Sequence, residues 1–200
     1  MSEAAVDALR RGQPVVIPTD TVYGLVATPF AQDAVARLSA LKRRRPEQPI
    51  ALLARDVDML LELVPELRGR AEGLARALLP GALTLVLPNP AQRFPWLGGG
   101  RAETIGVRVP VLPDVAAAIL RELGALAATS ANLSGGTDPA RLEDVPREIR
   151  AAVAVALDGG ELPGRASTVV DLTGEEPVVL REGAVPAALV LERAAAATYS

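Results

Sequence analysis

Apolar residues along this chain recur at two periods, and the two alternate. Val15-Val16-Ile17 is a short β-branched run that Pro18 ends, which predicts a buried strand. The polar turn Thr19-Asp20-Thr21 follows, then a second apolar stretch from Val22 to Ala27. Val35, Leu38 and Leu41 fall at helical spacing within 32–41, and that segment runs straight into Lys42-Arg43-Arg44-Arg45. Further strands are predicted over 50–54, 83–87, 104–109, 125–128, 153–157, 168–172 and 177–180. Helices are expected at 2–11 (Ser2 as N-cap, Gly12 as stop), 56–63 (capped by Asp56), 66–79, 113–123 and 141–150. Pro46 and Pro49 frame a tight connection, and 92–102 reads as a loop carrying Trp96 and three consecutive glycines. The last fourteen residues read as a weak helix or tail. Strands alternate with helices early and follow one another late. That order predicts an α/β domain with a mixed, twisted sheet and packed helices, rather than a doubly wound one.

Composition narrows the chemistry more than the fold. The 200 residues suit one α/β domain or at most two small ones, and 50% hydrophobic with 22% charged is a globular balance. There is no cysteine, which removes disulfides, thiolate nucleophiles and zinc ribbons. There is no histidine either, so a Ser-His-Asp triad, an HExxH zinc site and imidazole acid–base catalysis are all excluded. The formal charge of -3 gives no global attraction for polyanions, so any phosphate binding has to come from a local cluster. No segment reaches the roughly eighteen apolar residues of a membrane span, and Met1-Ser2-Glu3 does not open a signal peptide. The expected compartment is the cytoplasm.

Several segments carry candidate chemistry. Lys42 is the single lysine beside twenty arginines, and it opens a run of four cations at a helix end. That run either complements the helix dipole, worth about 0.3–1 kcal/mol, or clamps phosphate. In extended backbone Lys42 and Arg44 would face one side, Arg43 and Arg45 the other. Thr19-Asp20-Thr21-Val22-Tyr23-Gly24 and Ser130-Ala131-Asn132-Leu133-Ser134-Gly135-Gly136 each follow a strand. Each reads either as a polar turn, Asp20 making an Asx-type bond, or as a strand-end ligand contact. Arg108 and Arg181 lie inside strand-like sequence, where a guanidinium must pair, reach an edge or face a cleft; Glu103 and Asp171 are the internal partners on offer. Ser167 and Thr168 open a strand and are β-formers or contacts. Neither GxxxxGK[ST] nor GxGxxG is present.

Taken in order, these pieces form a recognisable set. Pro18-Thr19-Asp20-Thr21-Val22-Tyr23-Gly24-Leu25, Lys42-Arg43-Arg44 with Gln48-Pro49, and Thr104-Ile105-Gly106-Val107-Arg108-Val109-Pro110 come first. Ser130-Ala131-Asn132-Leu133-Ser134-Gly135, Ser167-Thr168-Val169-Val170-Asp171 and Leu180-Arg181-Glu182-Gly183-Ala184 follow. The chain resembles the YrdC/TsaC family of threonylcarbamoyl-AMP synthases over roughly residues 5 to 186. The resemblance implies a YrdC-like α/β domain over 1–186, with a twisted open sheet around a concave basic cleft, and a C-terminal helix or tail at 187–200. It implies that L-threonine, bicarbonate and ATP give threonylcarbamoyl-AMP and pyrophosphate, and that the product passes to a tRNA threonylcarbamoyl transferase complex.

The resemblance also assigns roles. Lys42 and Arg44 would be the catalytic pair holding the ATP phosphates, with Gln48 nearby. Thr104, Ser130, Asn132, Asp138 and Arg181 would lie along the nucleotide. Thr21, Tyr23, Arg108, the Ala128 backbone and Ser167 would hold threonine. No protein-held metal is expected, Mg²⁺ arriving on the ATP phosphates. Asp20 or Asp171 would accept the amine proton. Arg45-Pro46 departs from the commoner Lys-x-Arg-Pro spacing, which leaves Arg43 and Arg45 as substitutes for Arg44, and Gln48, Leu53, Asp138 and Glu182 also depart from the family pattern. Two other readings stand beside this one. A non-catalytic RNA-binding module, or weak RNA binding, is opposed by the net charge and by only five aromatic residues (one Trp, two Tyr, two Phe). A paralogue acting on a related carbamoyl-adenylate would need additional cysteine-rich domains.

Overall fold

Side-chain alternation within the central strands decides the architecture. The computed structural model describes residues 2–45 and 47–198. Met1, Pro46, Tyr199 and Ser200 lie outside the described residues, and with Pro46 goes the expected Pro46–Pro49 frame. In chain order the elements are α1 (Ser2–Arg10), β1 (Val15–Ile17), β2 (Gly24–Ala27), α2 (Gln32–Leu41), β3 (Ala51–Ala54), α3 (Val57–Leu63), α4 (Arg70–Leu78) and β4 (Leu83–Pro88). After them come β5 (Thr104–Arg108), α5 (Asp114–Leu123), β6 (Ala125–Ser130), α6 (Arg147–Ala152), β7 (Val155–Ala156), β8 (Thr168–Asp171), β9 (Val178–Arg181) and α7 (Ala187–Thr198). Short 3-10 turns occupy Pro95–Leu97 and Leu142–Asp144. None of the described helices is long and apolar enough to cross a membrane.

The described strands form one mixed sheet in the order β7-β1-β2-β6-β3-β5-β4-β8-β9. Parallel pairings join β1 to β7, β3 to β5 and β4 to β8, and the other neighbours run antiparallel. One face is buried along its length: Leu25, Leu52, Leu83, Leu85, Leu87, Val107 and Val170 pack with Leu38 of α2, Leu60 of α3, Leu74 and Leu78 of α4, and Val190 and Ala194 of α7. The other face is covered over part of its width, where Val15, Ile17, Val26 and Leu126 meet Leu9 of α1 and Ile119 of α5. Over β5, β4 and β8 the same face carries Thr104, Gly106, Arg108, Thr84, Val86 and Val169, and these line a hollow. Register is fixed by this asymmetry. A one-residue slip of β4 would exchange Leu83, Leu85 and Leu87 for Thr84 and Val86, forfeiting about 1.5–3 kcal/mol for each leucine removed from the core.

Differences from the sequence expectation trace to glycine and proline. The helix expected at 66–79 is confined to 70–78, because Gly69 turns the chain at φ 57. The helix expected at 141–150 is split, with Pro146 in extended conformation separating the 3-10 turn from α6. The strand expected at 153–157 pairs only over Val155–Ala156. Ser2 stands inside α1 from its first turn instead of flanking it. Asp56 does cap α3, its carboxylate accepting from the Met59 N–H at 2.6 Å. The C-terminal segment is a helix, packed on the core through Val190 and Ala194.

The end of α2 departs from the expected extended run. Arg43 N–H donates to Ala40 O at 3.0 Å and Arg44 N–H to Ser39 O at 2.9 Å, with Arg43 at φ 50. This is a Schellman-type closure with arginine at the left-handed position glycine usually takes. The turn, not strand alternation, sends Arg43 outward to Glu148 at 2.8 Å and Arg44 inward.

Two stability predictions follow from these backbone positions. Arg43→Gly should raise unfolding free energy by about 0.5–1 kcal/mol in urea titration: it relieves left-handed strain of about 1–2 kcal/mol and forfeits an exposed ion pair worth about 0–1 kcal/mol. Gly183 has the opposite problem, since a Cβ there would stand 2.1 Å from Ala166 O and 2.6 Å from the Ser167 carbonyl carbon. Gly183→Ala should cost about 1–3 kcal/mol by the same measurement, whereas Gly174→Ala, with its nearest atom 3.9 Å away, should cost nothing of that size.

Candidate functional site

The uncovered part of the sheet becomes a hollow of about 380 Å³, within the size range of small-molecule sites. Its floor is made of small residues on neighbouring strands: Gly24, Ala51, Gly106 and Ala128. Ala128 sits mid-strand in β6, in register with Val26 on one side and Ala51 on the other. Around that floor stand Arg44, Arg101, Arg108 and Arg181, with Glu47 and Asp138 as the carboxylates of the lining.

One wall is built by the end of α2 and the loop after β6. Arg44 donates from Nη1 to the Thr129 hydroxyl at 2.7 Å and from Nη2 to Pro49 O at 2.6 Å, while its Nε–H is buried without an acceptor. Burial pushes the Arg44 guanidinium below its ordinary pKa. Lys42 is 2% exposed and does not itself line the hollow; its amine lies directly behind the lining residue Ser130. The amine donates to Ser130 O, to Asn132 O at 2.7 Å and to Asn132 Oδ1 at 2.7 Å. Asn132 is itself held by the Ser130 hydroxyl at 2.6 Å and donates to Gly136 O at 2.6 Å, so the loop closes around the lysine. Burial and, after it, the Arg44 charge push the Lys42 amine down to about 8, with Asp138 acting in the opposite direction.

A second loop locks onto this wall. Ile50 N–H donates to Leu97 O at 2.8 Å and Gly100 N–H to Glu47 O at 3.1 Å. Gly99, at φ 63, comes so close that a Cβ would lie 2.3 Å from Glu47 O.

The opposite wall is organised by Arg108. Its partner is Asp20, at 2.6 Å from Nη2, and both side chains are nearly buried, at 11% and 10% exposure. Neither Glu103 nor Asp171 takes the role offered by sequence: Glu103 is 3.5 Å from exposed Arg101, and Asp171 accepts from Thr173 N–H and hydroxyl. Asp20 also accepts from Val111 N–H at 3.3 Å, so it makes no Asx turn; the Thr19 hydroxyl builds the turn, accepting from Thr21 N–H and donating to Val22 O at 2.7 Å. Burial raises the Asp20 pKa against the lowering effect of Arg108, and burial lowers that of Arg108. The Arg108 Nε–H, like that of Arg44, is buried without an acceptor. Beside it, Arg181 donates to Ser167 O at 2.9 Å, and the Ser167 and Thr84 hydroxyls lie 2.8 Å apart.

Of the residues singled out from sequence, Thr21, Arg44, Thr104, Arg108, Ala128, Ser130, Asp138, Ser167 and Arg181 share this one hollow. Lys42 and Asn132 stand behind its wall, joined to Ser130. Gln48 is outside the lining, and so is Tyr23, whose hydroxyl donates to Gly160 O at 2.8 Å beneath the 158–164 loop. Asp171 is outside as well. Thr84, Thr129 and Arg101 were not anticipated. For Thr84 the signal was present, since it alternates with Leu83 and Leu85 as a polar residue on an otherwise apolar strand.

Known proteins resemble this chain in sequence and in fold. The family model described as telomere recombination, covering the Sua5, YciO and YrdC proteins, matches residues 7–183. A Mycobacterium tuberculosis relative is 41% identical over 190 residues, 94% of this chain and 87% of its own length. The threonylcarbamoyl-AMP synthase of Pyrococcus abyssi is 36% identical over 183 residues, 91% of this chain, and this chain spans 54% of that protein's length. The crystal structure of Pyrococcus abyssi Sua5 complexed with L-threonine superposes with a TM-score of 0.86 at 35% identity, over 96% of this chain and 56% of that one. Escherichia coli YciO superposes with a TM-score of 0.82 at 29% identity, over 92% and 90% of the two chains. The chain therefore belongs to the Sua5/YciO/YrdC family, the family of the threonylcarbamoyl-AMP synthases.

Proposed function

We propose that this chain is an L-threonylcarbamoyladenylate synthase, joining L-threonine, bicarbonate and ATP into threonylcarbamoyl-AMP with release of pyrophosphate. One observation carries the reading: the guanidiniums of Arg44, Arg101, Arg108 and Arg181 line one hollow against only two carboxylates, Glu47 and Asp138. Cations gathered around one cavity repel until an anion enters, and guanidiniums hold carboxylates and phosphates through charge-assisted hydrogen bonds. Such a lining fits a substrate pair that is anionic at both ends.

The threonine carboxylate goes to Arg108, whose Nη2 is already oriented by Asp20. Ser167 and Thr84 supply hydroxyls on that side, and Thr21 lies next to the Thr19 hydroxyl at 3.0 Å. The triphosphate goes to Arg44 and to the Ser130 loop backed by Lys42. The threonine amine adds to the carbon of bicarbonate with loss of water, giving a carbamate. A carbamate oxygen then attacks the α-phosphorus, and the bond to the β-phosphate oxygen breaks to release pyrophosphate. Both steps bring anions together, so the protein's task is positioning and charge compensation, which guanidiniums and an ammonium perform without a covalent nucleophile. Mg²⁺ accompanies the nucleotide and supplies further charge neutralisation when bound. The product feeds threonylcarbamoyl modification of tRNA through a separate transferase, in the cytoplasm.

Arg44→Ala should lower threonine-dependent pyrophosphate release by about 10²–10³-fold, the effect of losing one well-placed donor, and Lys42→Met, which removes the charge that backs the Ser130 loop, should lower it as well. Near-normal turnover in both variants would sink the phosphate-clamp assignment. The pH response has a fixed sign. With its pKa near 8 in the free protein, Lys42 loses its proton as pH rises through that value, and phosphate favours the ammonium. Nucleotide affinity should therefore fall as pH rises above about 8, and binding near pH 8.5 should take up a proton. Calorimetry in two buffers of different ionisation enthalpy measures that uptake, and Lys42→Met should abolish it.

A further inference from the structure

We propose that Asp138 is a protein ligand to the divalent cation of the metal–nucleotide complex bound in the hollow. This rests on the nucleotide reading above and goes beyond it, because there the cation arrives held by phosphates alone.

Asp138 lines the hollow and, among the described residues, makes no hydrogen bond or ion pair. A carboxylate in a lining that holds Arg44, Arg101, Arg108 and Arg181 would be expected to pair with one of them. The structure shows why it does not. Lys42, the cation on which its charge acts, already directs its amine at Ser130 O, Asn132 O and Asn132 Oδ1. Arg44 donates to Thr129 and Pro49, Arg101 to Glu103, Arg108 to Asp20, and Arg181 to Ser167. Asp138 is also held in place by its neighbours: Pro139 O accepts from Tyr23 N–H at 2.9 Å, and Ala140 O accepts from Leu162 N–H at 2.9 Å. The proline after it further restricts its backbone to extended conformations.

A fixed, unpaired carboxylate facing an anionic ligand is repulsive unless a cation stands between them. Arg44, in the lining of the same hollow, is held only by the neutral oxygens of Thr129 and Pro49, which leaves its charge for an anion on this side. Mg²⁺ suits the gap: it takes hard oxygen donors and is held by one or two carboxylates together with substrate phosphates and retained waters.

The test is calorimetric titration of α,β-methylene-ATP, whose α–β bridge cannot be cleaved, in excess Mg²⁺ and in EDTA, using wild type, Asp138→Asn and, as a control at an exposed carboxylate of α1 outside the lining, Asp7→Asn. Wild type should bind the Mg²⁺ complex about tenfold more tightly than the free nucleotide, equivalent to about 1.4 kcal/mol. Asp138→Asn should weaken binding in Mg²⁺ and tighten it in EDTA, an inversion of sign that loss of structure does not produce. Asp7→Asn should retain the wild-type pattern. With Mn²⁺ in place of Mg²⁺, the electron paramagnetic spectrum of the bound complex should change in Asp138→Asn. Tightening in both arms would overturn the proposal in favour of simple repulsion, and weakening in both would assign the carboxylate to the ribose hydroxyls. An unchanged Mg²⁺ preference would also overturn it. Wild type binding the nucleotide in neither arm would instead remove the nucleotide reading itself.

Discussion

A guanidinium on a sheet face must be met by something that accepts hydrogen bonds, and what meets it decides whether its charge stays available. Here Arg108 is met by a carboxylate, Asp20, and the ion pair is nearly buried. Arg44 and Arg181 are met by neutral oxygens, those of Thr129, Pro49 and Ser167. Lys42 is treated the same way, with its protons on two carbonyls and an amide oxygen. Hydrogen bonds to neutral groups fix direction without cancelling charge. The result is a set of cations that are oriented yet not neutralised, which is what a site for anionic reactants requires.

The fold supplies the place for them by leaving part of one sheet face without helices. β3, β5, β4 and β8 bury leucine and valine on one side and on the other present Ala51, Gly106, Thr84, Thr104 and Arg108 among a few apolar residues such as Val86 and Val169. Stability and function are thus carried by alternate residues of the same strands. The cost of holding charge in this half-enclosed setting is visible in Arg43, the one non-glycine residue of the α2 closure with positive φ. Its left-handed turn is what separates an outward arginine from an inward one, in a run of cations that would otherwise repel along one edge.

Much of this was legible in the chain. Strand and helix order followed from periodicity, and the segments after β1, α2 and β6 converge as their polar composition implied. Partner choice was not legible. Arg108 and Asp20 are 88 residues apart in sequence, and nothing local distinguishes Asp20 from Glu103 as the ion-pair partner; only the sheet order does. Tyr23 looked like a ligand contact because it belongs to the polar segment after β1, yet strand alternation turns it away from Gly24 and into the core beneath the 158–164 loop. Lys42 was expected to face one side with Arg44, and is instead enclosed behind Ser130 because the loop after β6 offers three oxygens at once. These outcomes depend on tertiary proximity, which one-dimensional spacing does not encode.

The interlock of Gly99 with Glu47 gives the rim a mechanical character. With backbone against backbone and two hydrogen bonds across the seam, the 97–100 loop and the 47–50 connection have no slack to slide independently. Arg101, next after Gly100, and Arg44, whose Nη2 donates to Pro49 O at 2.6 Å, therefore ride on a single stiff jaw. Any widening of the mouth to admit a bulky reactant would be a hinge rotation of that jaw as a whole, moving both guanidiniums together instead of opening a gap between them.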